Sequence, residues 1–519
     1  MRFVPALAAS CAAMLLSIAA RSQPVQFPLA GIVVNSITGA PVPGARVWLH
    51  RGFETESDAA GGFHFANVPA GEYILSAEKA GFDQDEAEEI ELSGARTALL
   101  IRLAPLATIR GRITDDDGDP VDGVTVVALR AEVESGWRRY TVARQAITDD
   151  RGQYRIPWLP KGNYLVQAAG RDEHAFAGEV EAASRRHEAF APVYFGGAKD
   201  RASATVVRLH PGDEPRADIS IAITTGNLIK GRITNLKPQT QPSIQLLAGE
   251  DSLGLNRSTI HFATGDFVLH DVINGIYKLR VIGVGADNQP LVGEKEIQVA
   301  GADVDGVELT LAPGANLQGT VRVEGDDFEA KSEAWSQFAV KLSAPENIRA
   351  LGLEAFYSNA VENGTFVVPR ILPGRYTVSF SGPPFYVASA RAGQTDLLDK
   401  PEIRIGDSPP PELEVVLRAD AGAIEGSTPQ VDETIILAVP ESPNHPPAIT
   451  FGGEGSFEIA GVAPGWYRLH AWTELDQVGP IPYKEPEILR LLAATGTRVQ
   501  VRPGEKTTVR IEKLSEIPQ

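Results

Sequence analysis

Hydrolytic zinc chemistry needs a His and a Glu close together, with a second His further along the chain. None of the nine histidines, at positions 50, 64, 174, 187, 210, 261, 270, 445 and 470, has Glu three residues downstream. The chain also lacks a His-Glu-x-x-His pair, a Gly-x-Ser-x-Gly nucleophile elbow and a phosphate-cradling loop. It reads as non-catalytic and without a cofactor. Asp115, Asp117 and Asp119 alternate like the start of a calcium loop, but Val126 stands where the closing Glu would be. The competing reading is a β-turn rich in turn formers.

Two groups of side chains suit recognition. In Gly465-Trp466-Tyr467-Arg468-Leu469-His470-Ala471-Trp472, strand alternation sends Tyr467, Leu469 and Ala471 inward. Trp466, Arg468, His470 and Trp472 then share the outer face. Two indoles with cationic donors between them can stack on sugar rings or prolines. Alternatively, residues Glu485 to Ala494, a short helix carrying Ile488, Leu489, Leu491 and Leu492 and ending near Gly496, bury them. The second group is Trp137, Arg138, Arg139 and Tyr140, in an insertion between strands. It is either a recognition loop on a rigid frame or a guard over a sheet edge.

A repeat positions these residues. Gly61-Gly62-Phe63 leads to Gly71-Glu72-Tyr73, and the pattern returns at Gly152 to Tyr164, Gly265 to Tyr277, Gly364 to Tyr376 and Gly455 to Tyr467. In every copy an aromatic follows the first Gly by two, and a second Gly and a Tyr lie eight and ten further on. The pattern reads as strand, tight turn, strand, because Gly permits the positive backbone angle of a turn. Tyr73, Tyr164, Tyr277, Tyr376 and Tyr467 face the core, with each hydroxyl expected on a nearby backbone group, as in the tyrosine corner of other sandwiches.

An opening strand with its own glycine precedes each copy, as in Gly31-Ile32-Val33, Ile109-Arg110-Gly111-Arg112-Ile113 and Lys230-Gly231-Arg232. Short strands, frequent turns and almost no helical periodicity indicate an all-β tandem array of about five sandwiches. The expected divisions are a signal peptide at 1–22 and sandwiches at 27–105, 106–224 (with the insertion), 225–313, 314–421 and 422–519, the last with a short C-terminal helix. Tyr-to-Tyr intervals of 91, 113, 99 and 91 residues suit independently folded units joined end to end.

The run Gly-x-Val/Ile, Pro-Val-x-Gly-Val/Ala, Asp-x-x-Gly-x-Tyr/Phe and Leu-Pro-x-Gly-x-Tyr resembles the carboxypeptidase regulatory-like (transthyretin-like) domain. Repeats one and two resemble it most closely; repeats three to five keep the Gly and Tyr frame. Val193-Tyr194-Phe195-Gly196-Gly197 resembles a segment of the longer bacterial versions. The resemblance implies prealbumin-like, immunoglobulin-like sandwiches, often grouped with carbohydrate-binding-like folds, in a secreted bacterial protein.

The N-terminus reads as a secretory signal: Arg2, then an apolar run from Phe3 to Ala20, with cleavage after Ser22. Cys11, Met1 and Met14 leave with it, so the mature chain holds itself together by cores and backbone pairing alone. Losing Arg2 and Arg21 leaves 46 basic against 67 acidic side chains, a net charge of −21. That field argues against nucleic acid as a partner. No later run is long and apolar enough to cross a membrane. The expected protein is secreted or extracytoplasmic, at the periplasm or cell surface. It binds carbohydrate, a cell-wall polymer or another extracytoplasmic protein, or it serves as a structural spacer, or as an accessory module of a separate hydrolase.

Overall fold

Each repeat turns on one backbone requirement. In the computed structural model Gly61, Gly152, Gly265, Gly364 and Gly455 all hold a left-handed φ, between 68° and 79°. In the first two copies an aspartate three residues earlier caps the turn. Asp58 Oδ1 accepts the amides of Ala60 and Gly62, and Asp149 Oδ1 those of Arg151 and Gln153. The structure describes residues 25–515 apart from short segments, of which 172–187, 249–257 and 325–337 are the longest. The expected signal peptide lies outside the described residues.

Two residues after the turn comes the aromatic, and it lies directly opposite the glycine of the opening strand. The pairs are Gly31 with Phe63, Gly111 with Tyr154, Gly231 with Phe267, Gly319 with Phe366 and Gly426 with Phe457. The ring lies in the space a side chain would take. A Cβ on Gly231 would run into the Phe267 ring and the Val307 carbonyl on the next strand. The glycine therefore lets one strand carry a buried ring on one side and a close neighbour on the other.

The repeated tyrosine closes the corner. Tyr73, Tyr164, Tyr277, Tyr376 and Tyr467 each donate their hydroxyl to the carbonyl four residues earlier, at 2.8, 2.8, 3.1, 2.8 and 2.8 Å. All five rings are buried.

One topology recurs. The opening strand (Gln26–Asn35, Ala107–Thr114, Asn227–Thr234, Ala315–Glu324, Gly422–Ser427) sits between the aromatic strand, antiparallel, and a late strand of the same repeat, parallel. The tyrosine strand belongs to the facing sheet, paired with the second strand, as Gly71–Glu78 is with Arg46–Leu49. Among the described residues one apolar core lies between each pair of sheets, in each of the five sandwiches. The chain is an all-β array of sandwiches. Among the described residues no helix is long and apolar enough to cross a membrane.

Residues up to Leu106 form one compact unit and Ala107 onward another. Within the second unit the sandwiches, besides following one another along the chain, pack against one another. Ile282 and Val292 of the third sandwich enter the core cluster of the fourth. Beside them Arg280, buried with Glu294 in an ion pair, donates Nη2 to the Pro373 carbonyl at 2.8 Å. The hairpin Val124–Glu134/Trp137–Ile147 reaches further still. Its Gly136 carbonyl accepts the Lys484 amide at 2.8 Å, Arg138 pairs with Glu485 at 3.3 Å, and Arg139 donates to Thr377 Oγ1 at 3.0 Å. Uniform repeat spacing is silent about such lateral contacts, because they depend on how far one hairpin extends.

Candidate functional site

The strand Gly465–Thr473 does not present its four outer residues together. Trp466 is 40% exposed, but His470 and Trp472 are 2% and 3% exposed. The helix Pro486–Ala493 lies on them, with Leu492 beside Trp472, Leu437 and Val439, and Ile488 and Leu489 packed around that cluster. The apolar stripe of this helix would otherwise face water, and the outer sheet face supplies its partner. His470 stacks on Trp472 at 5.5 Å, and its Nε2 donates to the Leu492 carbonyl at 2.9 Å. Its Nδ1 is 3.2 Å from Ser515 Oγ. Burial holds the His470 pKa below its ordinary value.

On the same strand Trp466 and Arg468 stay accessible. Arg498 stacks over the Trp466 ring at 3.9 Å, and Glu441 bridges Arg498 and Arg468 at 2.8 and 3.0 Å. Those guanidiniums, Arg498 foremost, hold the Glu441 carboxyl below the usual carboxylate range.

Asp115, Asp117 and Asp119 form a self-capped turn. Asp115 Oδ1 accepts the amides of Asp117 and Asp119 at 3.0 and 2.9 Å, and the Gly118 amide closes onto the Asp115 carbonyl. The turn has the same build as those at Asp58 and Asp149. Among the described residues no three His, Cys, Asp or Glu side chains group as metal ligands.

The insertion residues meet a different environment. Arg138, Arg139 and Tyr140 line a cavity of about 1080 Å³ where the second, third, fourth and fifth sandwiches converge. Trp137 is half-buried and outside that lining. From the second sandwich come Gln167, Tyr194 and Arg201, whose guanidinium lies 5.5 Å from the Tyr140 ring centre. The third contributes Asp271 and Tyr277, the fourth Arg375 and Glu402, the fifth Glu485 and Glu487. Gln167 is buried, and its Oε1 has no hydrogen-bond partner among the described residues. Arg138–Glu485 and Arg375–Glu402, at 3.3 and 3.9 Å, offset one another's charge along the wall. Donors, acceptors and phenol rings thus alternate without a dominant sign. Such a lining matches groups that both donate and accept, as sugar hydroxyls do.

Trp158 was not singled out in the sequence, because its peculiarity is conformational. It sits in a bulge between Ile156 and Leu159 with φ at 60°, and is 53% exposed. Asp271, Arg370 and Gly461 hold the same left-handed angle at the matching place in later repeats. An indole there is unusual, since a bulky side chain is strained at positive φ. Arg144 lies 5.2 Å from its ring centre.

Five sandwiches on one frame, with polar and aromatic groups at their edges and joints, define a tandem all-β sandwich protein. Residues 28–104 and 108–189 match the family model of the carboxypeptidase regulatory-like domain, the two repeats whose motifs resemble it most closely. No curated protein matches the chain. Among solved structures it is similar to GBS52, the minor pilin of Streptococcus agalactiae, at 15% identity and a TM-score of 0.22, over 38% of this chain and 96% of that one. The shaft pilin spaA from Lactobacillus rhamnosus GG gives 9% identity and a TM-score of 0.21, over 38% and 98%. The Bacillus anthracis TIE protein gives 9% and 0.16, over 94% and 68%. Likeness at this level carries nothing about ligand or partner.

Proposed function

We propose that this is an extracytoplasmic, non-catalytic recognition protein whose binding site is the cavity shared by sandwiches two to five, and that the ligand is a largely neutral saccharide of an envelope or extracellular polymer. One observation carries the reading: four sandwiches contribute to a single polar, tyrosine-lined cavity of about 1080 Å³, with the buried Gln167 in its wall. A cavity of that volume lies just above the usual range of small-ligand sites, about 300–1,000 Å³, and has room for several sugar rings. The mixed lining disfavours a strongly charged ligand, because any single charge would meet both signs.

The test is calorimetric titration of the mature chain with neutral oligosaccharides and peptidoglycan fragments, beside Tyr140→Ala and Trp466→Ala. Binding lost in Tyr140→Ala and kept in Trp466→Ala supports the cavity. Binding lost only in Trp466→Ala moves the site to the fifth sandwich. Absence of binding to every sugar favours the spacer or scaffold reading, for which the joints between sandwiches two to five suffice.

A further inference from the structure

We propose that the outer face of the opening-strand sheet in the second sandwich binds an acidic polysaccharide, through a row of arginines with Trp158 at its edge. The site is separate from the cavity and does not depend on what the cavity takes.

Register creates the row. Arg155 lies directly opposite Arg110, and Arg110 bridges in turn to Arg216, so three guanidiniums cross three adjacent strands. Their side chains are 61%, 60% and 67% exposed. Arg112, two residues from Arg110, shares its face and donates Nε to the Arg151 carbonyl. Among the described residues two carboxylates answer these four cations. Glu214 is 3.9 Å from both Arg110 and Arg155, and Asp218 pairs with Arg216 at 2.8 Å. The patch stays cationic on a chain of net charge −19.

Sheet stability does not explain the row, because like charges directly opposite one another destabilise a strand pair. The repeat does not require it either. The positions of Arg110 and Arg155 are held by Ala30 and His64, Lys230 and Val268, Gln318 and Val367, and Glu425 and Glu458 in the other sandwiches. Lys506 answers the one other like-charged pair through Glu458, at 2.8 Å. In the second sandwich the cross-strand neighbour of an arginine is a further arginine.

Spacing and shape indicate the partner. Neighbouring strands set the backbones of these arginines about 4.8 Å apart, a repeat comparable to one pyranose ring. A polymer with one carboxylate per ring can place successive carboxylates on successive forks, each a charge-assisted pair. Trp158 adds a flat apolar surface at the same end of the sheet. The bulge sets Pro157 and Trp158 outside the core, opposite Thr108, whose hydroxyl accepts from Arg155 at 3.2 Å. The C–H face of a sugar ring stacks on an indole; an acidic peptide has no such face to offer. Duplex nucleic acid, with one charge per about 1.7 Å, meets far more repulsion from the rest of this acidic chain than a sparsely charged sugar polymer does.

Affinity electrophoresis of the full mature chain in gels containing polygalacturonate, neutral dextran or polyglutamate decides the matter. The expected result is retardation by polygalacturonate, weakening as salt rises. Arg110→Gln/Arg155→Gln should raise its Kd by about tenfold or more, and Trp158→Ala by several-fold. Tyr140→Ala, in the cavity, should leave this binding unchanged, so failure here and failure of the cavity reading are distinguishable. All three arginine-face substitutions are at exposed positions, and an unchanged melting curve confirms that the variants fold. No retardation overturns the proposal. Equal retardation by polyglutamate, indifferent to Trp158→Ala, also overturns it and leaves a plain cation-exchange patch.

Discussion

Tyr376→Phe isolates the corner hydrogen bond from the ring that carries it. Tyr376 is fully buried, its hydroxyl 2.8 Å from the Leu372 carbonyl, and Phe356 meets its ring edge-on at 5.7 Å. Burial drives its pKa far above the ordinary phenol value, so the proton stays in place to be donated. Phenylalanine keeps the ring and removes one donor. A buried acceptor left unpaired costs about 1–3 kcal/mol, whereas Tyr376→Ala, which also empties the ring's space, should cost about 3–5 kcal/mol. Hydrogen exchange resolved by segment is the assay. At about 1.4 kcal/mol per factor of ten, the strands Ala315–Glu324 and Gly374–Ser381 should exchange roughly 5- to 150-fold faster. Gly275–Val284 and Pro290–Val299 should follow, because Ile282, Val292 and the Arg280–Pro373 bond tie them to the same core. The strands before Leu106, in a compact unit of their own, provide the reference. If Tyr376→Phe costs less than about 0.5 kcal/mol, the range of an inconsequential surface change, the corner bond is not why tyrosine recurs at this place.

Two further predictions rest on single contacts. Gly231→Ala places a Cβ against the Val307 carbonyl and the Phe267 ring, between strands that hydrogen-bonding keeps from separating. Urea unfolding should show a loss of about 1–3 kcal/mol, and a change within experimental scatter would sink the slot explanation of the repeated glycine. His470 makes the fifth sandwich acid-sensitive. Its folded pKa lies below the ordinary 6.5, so the unfolded chain binds a proton the folded chain resists. Stability is full above about pH 6.5 and falls as the pH drops below it. Corrected for the intrinsic slowing of amide exchange in acid, the protection of Pro486–Ala493 should fall between pH 7.5 and 5 in the wild type and less so in His470→Gln. Equal loss of protection in both would assign the effect to other groups.

The frame of the fold is written in the sequence because it rests on local chemistry. Gly61 needs a left-handed angle, Gly31 a missing Cβ and Tyr73 a carbonyl four residues away, and each is visible as spacing. The covering of His470 and Trp472 was legible as an alternative, since Ile488, Leu489 and Leu492 mark one face of a short helix. What spacing conceals is register across strands and reach between sandwiches. Arg110 reads as an ordinary strand residue until Arg155 is placed opposite it, and Arg138 as a loop residue until Glu485 stands 3.3 Å away. The bulge at Trp158 is invisible for a similar reason: Asn67, Asp271, Arg370 and Gly461 occupy its place, with no shared residue type to mark it.

Departures from the frame, and not the frame itself, create the recognition features. In the first sandwich the second strand and its hairpin partner are Arg46–Leu49 and Phe53–Glu56, four residues each. Their counterparts in the second are Val124–Glu134 and Trp137–Ile147, eleven each. Seven extra residues extend a strand by about 23 Å, enough to leave its own sandwich and meet the fourth and fifth. That reach brings Arg138, Arg139 and Tyr140 to residues hundreds of positions away and completes the cavity wall. A five-fold pattern of glycines and tyrosines is sufficient to make sandwiches; it cannot by itself make a site, since every copy would then carry the same one. The long hairpin, the arginine row and the indole at a strained bulge all fall in the second sandwich, and this is where binding should be sought first.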